Sequence, residues 1–191
     1  KAGAYKVGYT VSEVEPAGSG GLPIRLKINR SFNLKVAQDP NKVRISADYG
    51  SDLIYLVDSA GGMLPQDIRH YMEAMRSVTD LPLGFHGHNN LHLAVANSLA
   101  AIEAGAILID TTLLGMGRSS GNTPTEVMVP LLQRRFGALK ELDPMLILDL
   151  ADQVISPLLK NRRDDSEKTA LGLAQVHSMY TERIRQAAKK K

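Results

Sequence analysis

The chain has 191 residues, of which 43% are hydrophobic and 23% are charged, and its formal net charge is +3. This is enough for one globular domain with a sizeable core. The chain contains no cysteine, which excludes disulfides and thiolate metal sites and suits a reducing cytoplasm. No apolar run approaches the ~20 residues of a membrane span. The chain also has no Trp and no segment in which basic and aromatic residues alternate, which argues against a nucleic-acid partner.

The N-terminal part of the chain predicts strands. Tyr5–Val14 is one strand candidate, and Leu22–Val36 predicts one or two more. The glycine-rich segment Glu15–Gly21 between them indicates a turn or a linker. Val43–Gly50 is expected to be the end of a helix. Because an open sheet edge leaves backbone groups unpaired, we expect residues 1–36 to pair onto one edge of the sheet formed by the rest of the chain.

Strands and helices alternate from about residue 50 onwards. Gly105 is a C-cap candidate, and Thr123–Glu126 has the pattern of a capping box with Pro124 at the first helical position. Such alternation is typical of βαβ units around a parallel sheet. The predicted strands are Leu53–Val57, Leu81–Phe85 and Ala106–Asp110, and the predicted helices are Pro65–Val78, Leu91–Ala104 and approximately 124–137, 143–160 and 166–188.

Two histidines, His86 and His88, follow the second of these strands. Side chains alternate between the two faces of a strand, so residues two apart point to the same side. Two neighbouring neutral imidazoles can bind one divalent metal. The same spacing also occurs where polar residues merely begin a loop, so the pair alone does not decide between these interpretations.

Polar residues also end the first and third predicted strands. Asp58 and Ser59 follow the first, where an aspartate commonly accepts backbone hydrogen bonds in a turn. Asp110 ends the third strand and is expected to be structural. The glycine-rich loop at 115–122 can approach a site closely, but no Gly-Lys-Ser/Thr follows it, so it is not a phosphate-binding loop.

Together these motifs resemble the metal-dependent aldolase and condensing-enzyme family that contains hydroxymethylglutaryl-CoA lyase, isopropylmalate synthase and 4-hydroxy-2-oxovalerate aldolase. The resemblance is greatest to the oxovalerate aldolases and covers roughly the last two-thirds of the chain. It is carried by Ile54–Met63, Gly84–Asn90, Gly115–Asn122 and Pro124–Val127, with a weaker match at Asp165–Met179. The family implies an α/β fold of the (β/α)8 TIM-barrel type with the metal at its C-terminal mouth. A complete barrel typically has about 250 residues, so we expect only the C-terminal βα units here, followed by C-terminal helices.

The resemblance also implies roles for individual residues. His86 and His88 are expected to bind the metal, with His86 also contacting the substrate, and Ser59 to help bind the carboxylate end of a keto acid. Asn122 matches an asparagine that ligates or lies near the metal in the broader family; stabilisation of the loop before the next helix is an equal alternative. The metal implied is Mn²⁺ or Mg²⁺, and the ligand types are also compatible with Zn²⁺ or Co²⁺.

Two features depart from the family pattern. The first strand of the family ends in an Arg-Asp pair that supplies a metal ligand and a cation for the enolate. Here the dipeptide Arg-Asp occurs at Arg163 and Asp164, but in a charged connection between predicted helices and not after a strand. We therefore expect a second chain or half-barrel to provide that pair. His177 stands where the oxovalerate aldolases have a substrate-contacting tyrosine, which makes it the candidate for catalytic proton transfer.

The function implied is a cytoplasmic class II aldolase that cleaves a 4-hydroxy-2-oxo acid to pyruvate and an aldehyde, as in the catabolism of aromatic hydrocarbons. An aldehyde dehydrogenase is a further partner suggested by the family. Two alternatives are a Claisen-type condensing enzyme of the isopropylmalate synthase kind and a non-catalytic half-barrel that serves assembly. The predicted divisions of the chain are a divergent or inserted segment at 1–42, βα units with the metal site at 43–140, and a helical segment at 141–191.

Overall fold

The computed structural model describes residues 6–15, 25–34, 40–159 and 166–189, with side chains from residue 43 onwards. The strands in these ranges are β1 (Lys6–Glu15), β2 (Arg25–Leu34), β3 (Leu53–Asp58), β4 (Leu83–Gly87) and β5 (Leu108–Ile109). The α-helices are α1 (Pro40–Asp48), α2 (Pro65–Arg76), α3 (Ala94–Glu103), α4 (Thr125–Phe136), α5 (Pro144–Leu150), α6 (Ser166–Leu173) and α7 (Thr181–Ala188).

The five strands form one sheet in the order of the chain. β2, β3, β4 and β5 are parallel, and β1 pairs antiparallel with β2. Ser31 lies opposite Leu53, so the N-terminal strands pair onto the free edge of β3, as predicted. α1 connects β2 to β3 and completes a βαβ unit. The predicted α/β fold with a partial parallel barrel sheet is therefore confirmed. The divisions at 42 and 140 stay a prediction.

One face of the sheet carries the hydrophobic core. Ile54 and Leu56 of β3 alternate with residues of the opposite face, and in β4 their neighbours in the register are Leu83 and Phe85. These four side chains are at most 1% exposed, because α1, α2 and α3 cover this face. The helices contribute buried residues at helical spacing. These are Val43, Ile68, Met72, Met75, Ala100 and Ala101.

The other face of β3 and β4 carries Tyr55, Gly84 and His86. Tyr55 lies opposite Gly84 in the register, and its ring lies across that glycine: a Cβ at position 84 would be 2.6 Å from the ring. The glycine therefore allows a tyrosine of β3 to extend over β4. The tyrosine is buried, and its hydroxyl reaches the residue that follows β5.

Three details of the predicted helices are wrong. The pattern at Thr123–Glu126 is not a capping box, because Pro124 is the N-cap and the Glu126 carboxylate accepts the Leu114 N–H at 2.9 Å. The predicted helix 143–160 is α-helical only over α5, up to Leu150, and continues as a π-helix and a 3₁₀-helix to Leu158.

The predicted single helix 166–188 is two helices, α6 and α7. Gln175 has a φ of +51°, and the Val176 N–H bonds the Leu171 carbonyl at 2.9 Å, which is the Schellman arrangement that ends helices. A glutamine at this left-handed position provides no sequence signal for the break. The predicted third strand is also shorter, since only Leu108 and Ile109 are paired.

No helix in the described ranges is long and apolar enough to cross a bilayer.

Candidate metal and substrate site

The carboxyl ends of β3 and β4 meet at one edge of the sheet. The His88 N–H donates to the Asp58 carbonyl at 3.2 Å, which joins the two strand ends directly. The Asp58 carboxylate is buried and accepts the N–H groups of Gly62 and Met63, each at 3.1 Å. Burial raises the pKa of Asp58, while these backbone hydrogen bonds oppose the shift. Asp58 thus stabilises the turn that holds Ser59, the predicted substrate contact, beside the histidine strand.

His86 is held through its Nδ1 atom. This atom lies 3.1 Å from Asp110 Oδ2, and the Tyr55 hydroxyl donates to Asp110 Oδ1, also at 3.1 Å. An ionised carboxylate only accepts, so the His86 proton is on Nδ1 and the lone pair is on Nε2. Burial raises the pKa of Tyr55, and the charge of Asp110 and the hydrogen bond to it raise it further. Tyr55 and Asp110 therefore orient His86 so that the lone pair of its Nε2 atom is the one that a metal could bind.

His88 is also oriented through its Nδ1 atom. Its Nδ1 lies 3.2 Å from the Gly121 carbonyl, which can only accept, so Nε2 again carries the lone pair. Burial lowers the pKa of His88 to about 4, and the neighbouring His86, Arg118 and His177 also lower it. His88 is consequently neutral at pH 7, as a metal ligand must be.

The two imidazoles fit a common divalent ion. Their ring centroids are 5.1 Å apart and their planes are inclined by 79°. Two ring nitrogens that bind one ion at about 2.1 Å bring their rings to roughly 5 Å from each other. Between residues 43–159 and 166–189 no group of three or more His, Asp or Glu side chains is arranged to hold a metal. The described part of the chain thus offers two nitrogen ligands.

Asn122 lies beside His88, and their backbones form an isolated antiparallel bridge. Its side-chain nitrogen donates to the Met116 carbonyl at 3.2 Å. Its Oδ1 atom is buried against Gly117 without a hydrogen-bond partner in the described chain. A buried amide oxygen without a donor is unfavourable, and a cation or a loop rearrangement would relieve it. Its role as a metal ligand stays a prediction.

His177 is brought towards this site by α6. Asn90 of the loop after β4 donates to the Lys168 carbonyl at 2.9 Å, and Gly172 lies directly against Gly62 of the turn after β3. The 3₁₀ turn after α6 follows at once, and its N-cap is His177. His177 is close enough to His88 for its charge to affect the pKa of His88. The tertiary structure therefore gathers Ser59, both metal-ligand candidates, Asn122 and His177 at one end of the sheet.

Three residues of the site were not assigned a site role from the sequence: Tyr55, Asp110 and Arg118. Tyr55 shares the face of His86 by strand alternation, and Asp110 ends the neighbouring strand, so register would have placed them together. Arg118 Nη2 lies 3.4 Å from His88 Nε2 across 30 residues of sequence. No local pattern marks that arginine.

Comparison with known proteins places the chain in a family. The sequence model of the HMGL-like family matches residues 10–154, about three-quarters of the chain. The chain belongs to the HMGL-like family. The resemblance to the oxovalerate aldolases is confirmed: a 4-hydroxy-2-oxovalerate aldolase from Geobacillus genomosp. 3 is 41% identical over 150 residues, which cover 78% of this chain and 44% of that protein.

Two further proteins are similar to the chain. An oxaloacetate decarboxylase from Mycobacterium tuberculosis is 38% identical over 176 residues, covering 92% of this chain and 52% of that protein. The crystal structure of the N-terminal domain of a Bacteroides vulgatus protein described as an aldolase matches with a TM-score of 0.65 and 29% identity, covering 72% of this chain and 46% of that one. The chain thus spans about half the length of the curated relatives it matches. The family depends on divalent metals, which agrees with the histidine pair.

Proposed function

We propose that this chain contributes the metal-binding and substrate-binding half of a class II aldolase that cleaves a 4-hydroxy-2-oxo acid to pyruvate and an aldehyde. The histidine pair carries the proposal, because Asp110 and Gly121 bind the Nδ1 atoms of His86 and His88, so that the lone pairs lie on the Nε2 atoms, where a metal would bind. The similarity to the oxovalerate aldolases supports the reaction. That similarity gives no better support to the Claisen-type alternative. A non-catalytic half-barrel would have no evident use for two oriented histidines.

In this proposal His86 and His88 hold the metal, with Asn122 as a further ligand, and His86 also contacts the substrate. Mn²⁺ or Mg²⁺ is proposed, because nitrogen and oxygen ligands without a thiolate suit them. A bound divalent ion supplies Lewis-acid polarisation of the keto oxygen. Ser59, at the end of β3, hydrogen-bonds the carboxylate end of the keto acid.

The reaction breaks the C3–C4 bond of the substrate. The electrons of that bond pass towards the keto oxygen and form the enolate of pyruvate, while the C4 hydroxyl loses its proton and becomes the aldehyde. A proton must then be added at C3. His177 Nδ1 accepts the Met179 N–H at 3.1 Å, so the neutral ring carries its proton on Nε2. We propose that His177 accepts the proton of the C4 hydroxyl at Nδ1, in exchange for the Met179 N–H, and then returns a proton to C3, so that the step neither consumes nor releases protons.

A second candidate is the decarboxylation of oxaloacetate. It is favoured by the extent of the match to the mycobacterial decarboxylase, which covers 92% of this chain against 78% for the aldolase from Geobacillus. Loss of CO2 from oxaloacetate breaks the corresponding C3–C4 bond and leaves the same pyruvate enolate. The two reactions therefore share the enolate step and differ in the leaving group, and only the aldolase reaction needs an acceptor for the C4 hydroxyl proton.

The test uses the full chain with Mn²⁺ or Mg²⁺. Metal binding is measured by calorimetry, and the exchange of pyruvate methyl protons with D2O is followed by NMR, because this exchange reports the enolate step shared by both reactions. Release of pyruvate from 4-hydroxy-2-oxovalerate and from oxaloacetate then separates the candidates. We expect one bound metal, metal-dependent exchange and a preference for the hydroxy-oxo acid.

The variant with both His86→Ala and His88→Ala should lose metal binding and exchange while keeping its fold. His70→Ala, on the surface of α2, is the matched control and should keep both. Unchanged metal content in the double variant would refute the ligand assignment. If pyruvate were released from oxaloacetate but not from 4-hydroxy-2-oxovalerate, the proposed function would change from aldolase to decarboxylase.

The partners and the location of the protein belong to the same proposal. We propose a keto-acid substrate, a second chain or half-barrel that adds the acidic ligand and the strand-end arginine, an aldehyde dehydrogenase that accepts the aldehyde, and a cytoplasmic location. In the described chain, β3, β4 and β5 do not end in an Arg-Asp pair. Loss of one preorganised cation at such a site typically costs about 10²–10³ in rate, so we expect the chain alone to turn over slowly.

A further inference from the structure

Arg118 lies in a turn that is attached to the histidine strand at several points. The Gly121 N–H bonds the Arg118 carbonyl at 3.0 Å and closes the turn. Asn90 Nδ2 donates to Ser119 Oγ at 2.9 Å, and the Gly121 carbonyl accepts the Asn89 N–H at 2.9 Å. Ser119 has a φ of +59°, which a serine adopts only where the surroundings hold it. The backbone of Arg118 is therefore fixed beside the end of β4.

The guanidinium of Arg118 points at the site itself. Its Nη2 atom lies 3.4 Å from Nε2 of His88, the atom that would bind the metal. The residue is exposed, and in the described part of the chain no carboxylate pairs with it. A guanidinium keeps its charge at any physiological pH and has five N–H donors, of which one is directed at His88. Arg118 is thus a cation at the mouth with most of its donors available.

An arginine and a metal ion do not share the lone pair of one imidazole nitrogen. When a metal occupies His88 Nε2, the guanidinium must withdraw, but the turn at 118–121 keeps it at the same end of the sheet. The anion that then lies at the metal is a 2-keto carboxylate, and a planar guanidinium matches a carboxylate with two parallel hydrogen bonds.

We infer that Arg118 is a substrate-binding residue that recognises the carboxylate of the 2-keto acid and occupies the metal-ligand atom of His88 when no metal is bound. This inference rests on the proposed function, since it requires the metal at the histidine pair. It goes beyond that function by assigning a cation of the loop before α4 to carboxylate recognition. Removal of the arginine therefore has opposite effects on two affinities. It frees His88 Nε2 for the metal, and it weakens the binding of the carboxylate anion.

The test measures two affinities of the full chain by calorimetry, first for Mn²⁺ and then for oxalate on the Mn²⁺-loaded protein. Oxalate is a stable planar dianion with the carboxylate and the vicinal oxygen of the pyruvate enolate. Arg118→Gln should leave Mn²⁺ binding unchanged or tighten it, and should weaken oxalate binding about 10- to 100-fold. Arg118→Lys keeps the positive charge but loses the two parallel N–H donors, so its oxalate affinity should lie between those of the wild type and Arg118→Gln. Arg134→Gln, an exposed arginine of α4, is the matched control and should change neither affinity.

Any of three results would overturn the inference. Oxalate binding that is equal in wild type and Arg118→Gln, with Mn²⁺ binding intact, overturns the inference and leaves the proposed function standing. Parallel loss of Mn²⁺ and oxalate binding in both Arg118 variants, with a lower melting temperature, shows that Arg118 supports the loop and also overturns it. Absence of Mn²⁺ binding in the wild type refutes the proposed function and this inference with it.

Discussion

The Asp110 carboxylate is the contact between three neighbouring strands at the site. It accepts a hydrogen bond from Tyr55 of β3 through one oxygen and faces His86 of β4 through the other, while its own N–H bonds the Phe85 carbonyl at 3.1 Å. Tyr55 is 3% exposed, so its hydroxyl needs this partner. The carboxylate in turn is held in place for the histidine. We therefore assign Asp110 and Tyr55 as positioning residues for His86.

Asp110→Ala should weaken Mn²⁺ binding about 10- to 100-fold, the usual effect of losing the carboxylate behind a ligand histidine. Tyr55→Phe should have a smaller effect, about fivefold, because it removes one of two hydrogen bonds that orient the carboxylate. Calorimetric Kd values check this order, and ¹⁵N shifts of His86 should show a shift of its proton away from Nδ1 in Asp110→Ala. Tyr71→Phe, a half-buried tyrosine of α2, is the control. An unchanged Kd in Asp110→Ala would mean that Asp110 does not orient the ligand.

At the scale of the elements, α6 packs on the turn after β3. Gly172 contacts Gly62, and Asn90 bonds the backbone of α6 at Lys168. A Cβ on Gly62 would overlap the Gly172 carbonyl, so Gly62 cannot gain a side chain without separating the two segments. His177 comes four residues after the end of α6 at Leu173, so the position of α6 constrains where His177 lies.

Gly62→Ala should displace α6 and expose its amides. A methyl group forced against the Gly172 backbone costs roughly 1–3 kcal/mol, of the order of other overpacking substitutions. Hydrogen exchange checks the result: amides of 166–173 should exchange faster, while those of α2 and α3 keep their relative protection. Gly137→Ala strains a residue with a φ of +65° at the end of α4 and controls for a general loss of stability. Equal protection of α6 in both variants would contradict the docking described.

At the scale of the whole molecule, β5 is an edge of the sheet with which no further strand of the described residues pairs. β5 has two residues; Ile107, which precedes it, is 69% exposed and Leu108, within it, is 44% exposed. The helix α5 also exposes apolar side chains, with Met145 and Leu146 more than half exposed. Unpaired edges and contiguous apolar patches are typical of surfaces that bind another chain or segment.

We expect the chain to associate through this edge. Light scattering of the wild type should give a mass above that of one chain, and the variant with Ile107→Lys and Leu108→Lys should give a lower mass because charges on an edge oppose pairing. Ile45→Lys, an exposed apolar residue of α1 at 39% exposure, is the control and should not change the mass. A monomeric wild type with the edge uncovered would contradict the prediction.

The sequence by itself determined the alternation of elements, the family and the histidine pair. Core positions repeat with the period of a helix in α2 and of a strand in β3 and β4, and these periods are local properties of the chain. The same alternation places His86 and His88 on one face. It did not determine all the ends of the elements, since the break at Gln175 is made by a left-handed glutamine and the helix at Thr125 begins without the expected cap.

The tertiary structure alone decided what surrounds the histidines. Tyr55 reaches Asp110 only because β3, β4 and β5 are in register and Gly84 leaves room for its ring. Arg118 meets His88 because a turn 30 residues away returns to the end of β4. Such contacts depend on which strand ends meet and on how a loop is held, and no local period or propensity in the sequence encodes them. The candidate ligands were therefore predictable from the sequence, whereas the groups that orient them and the cation beside them were not.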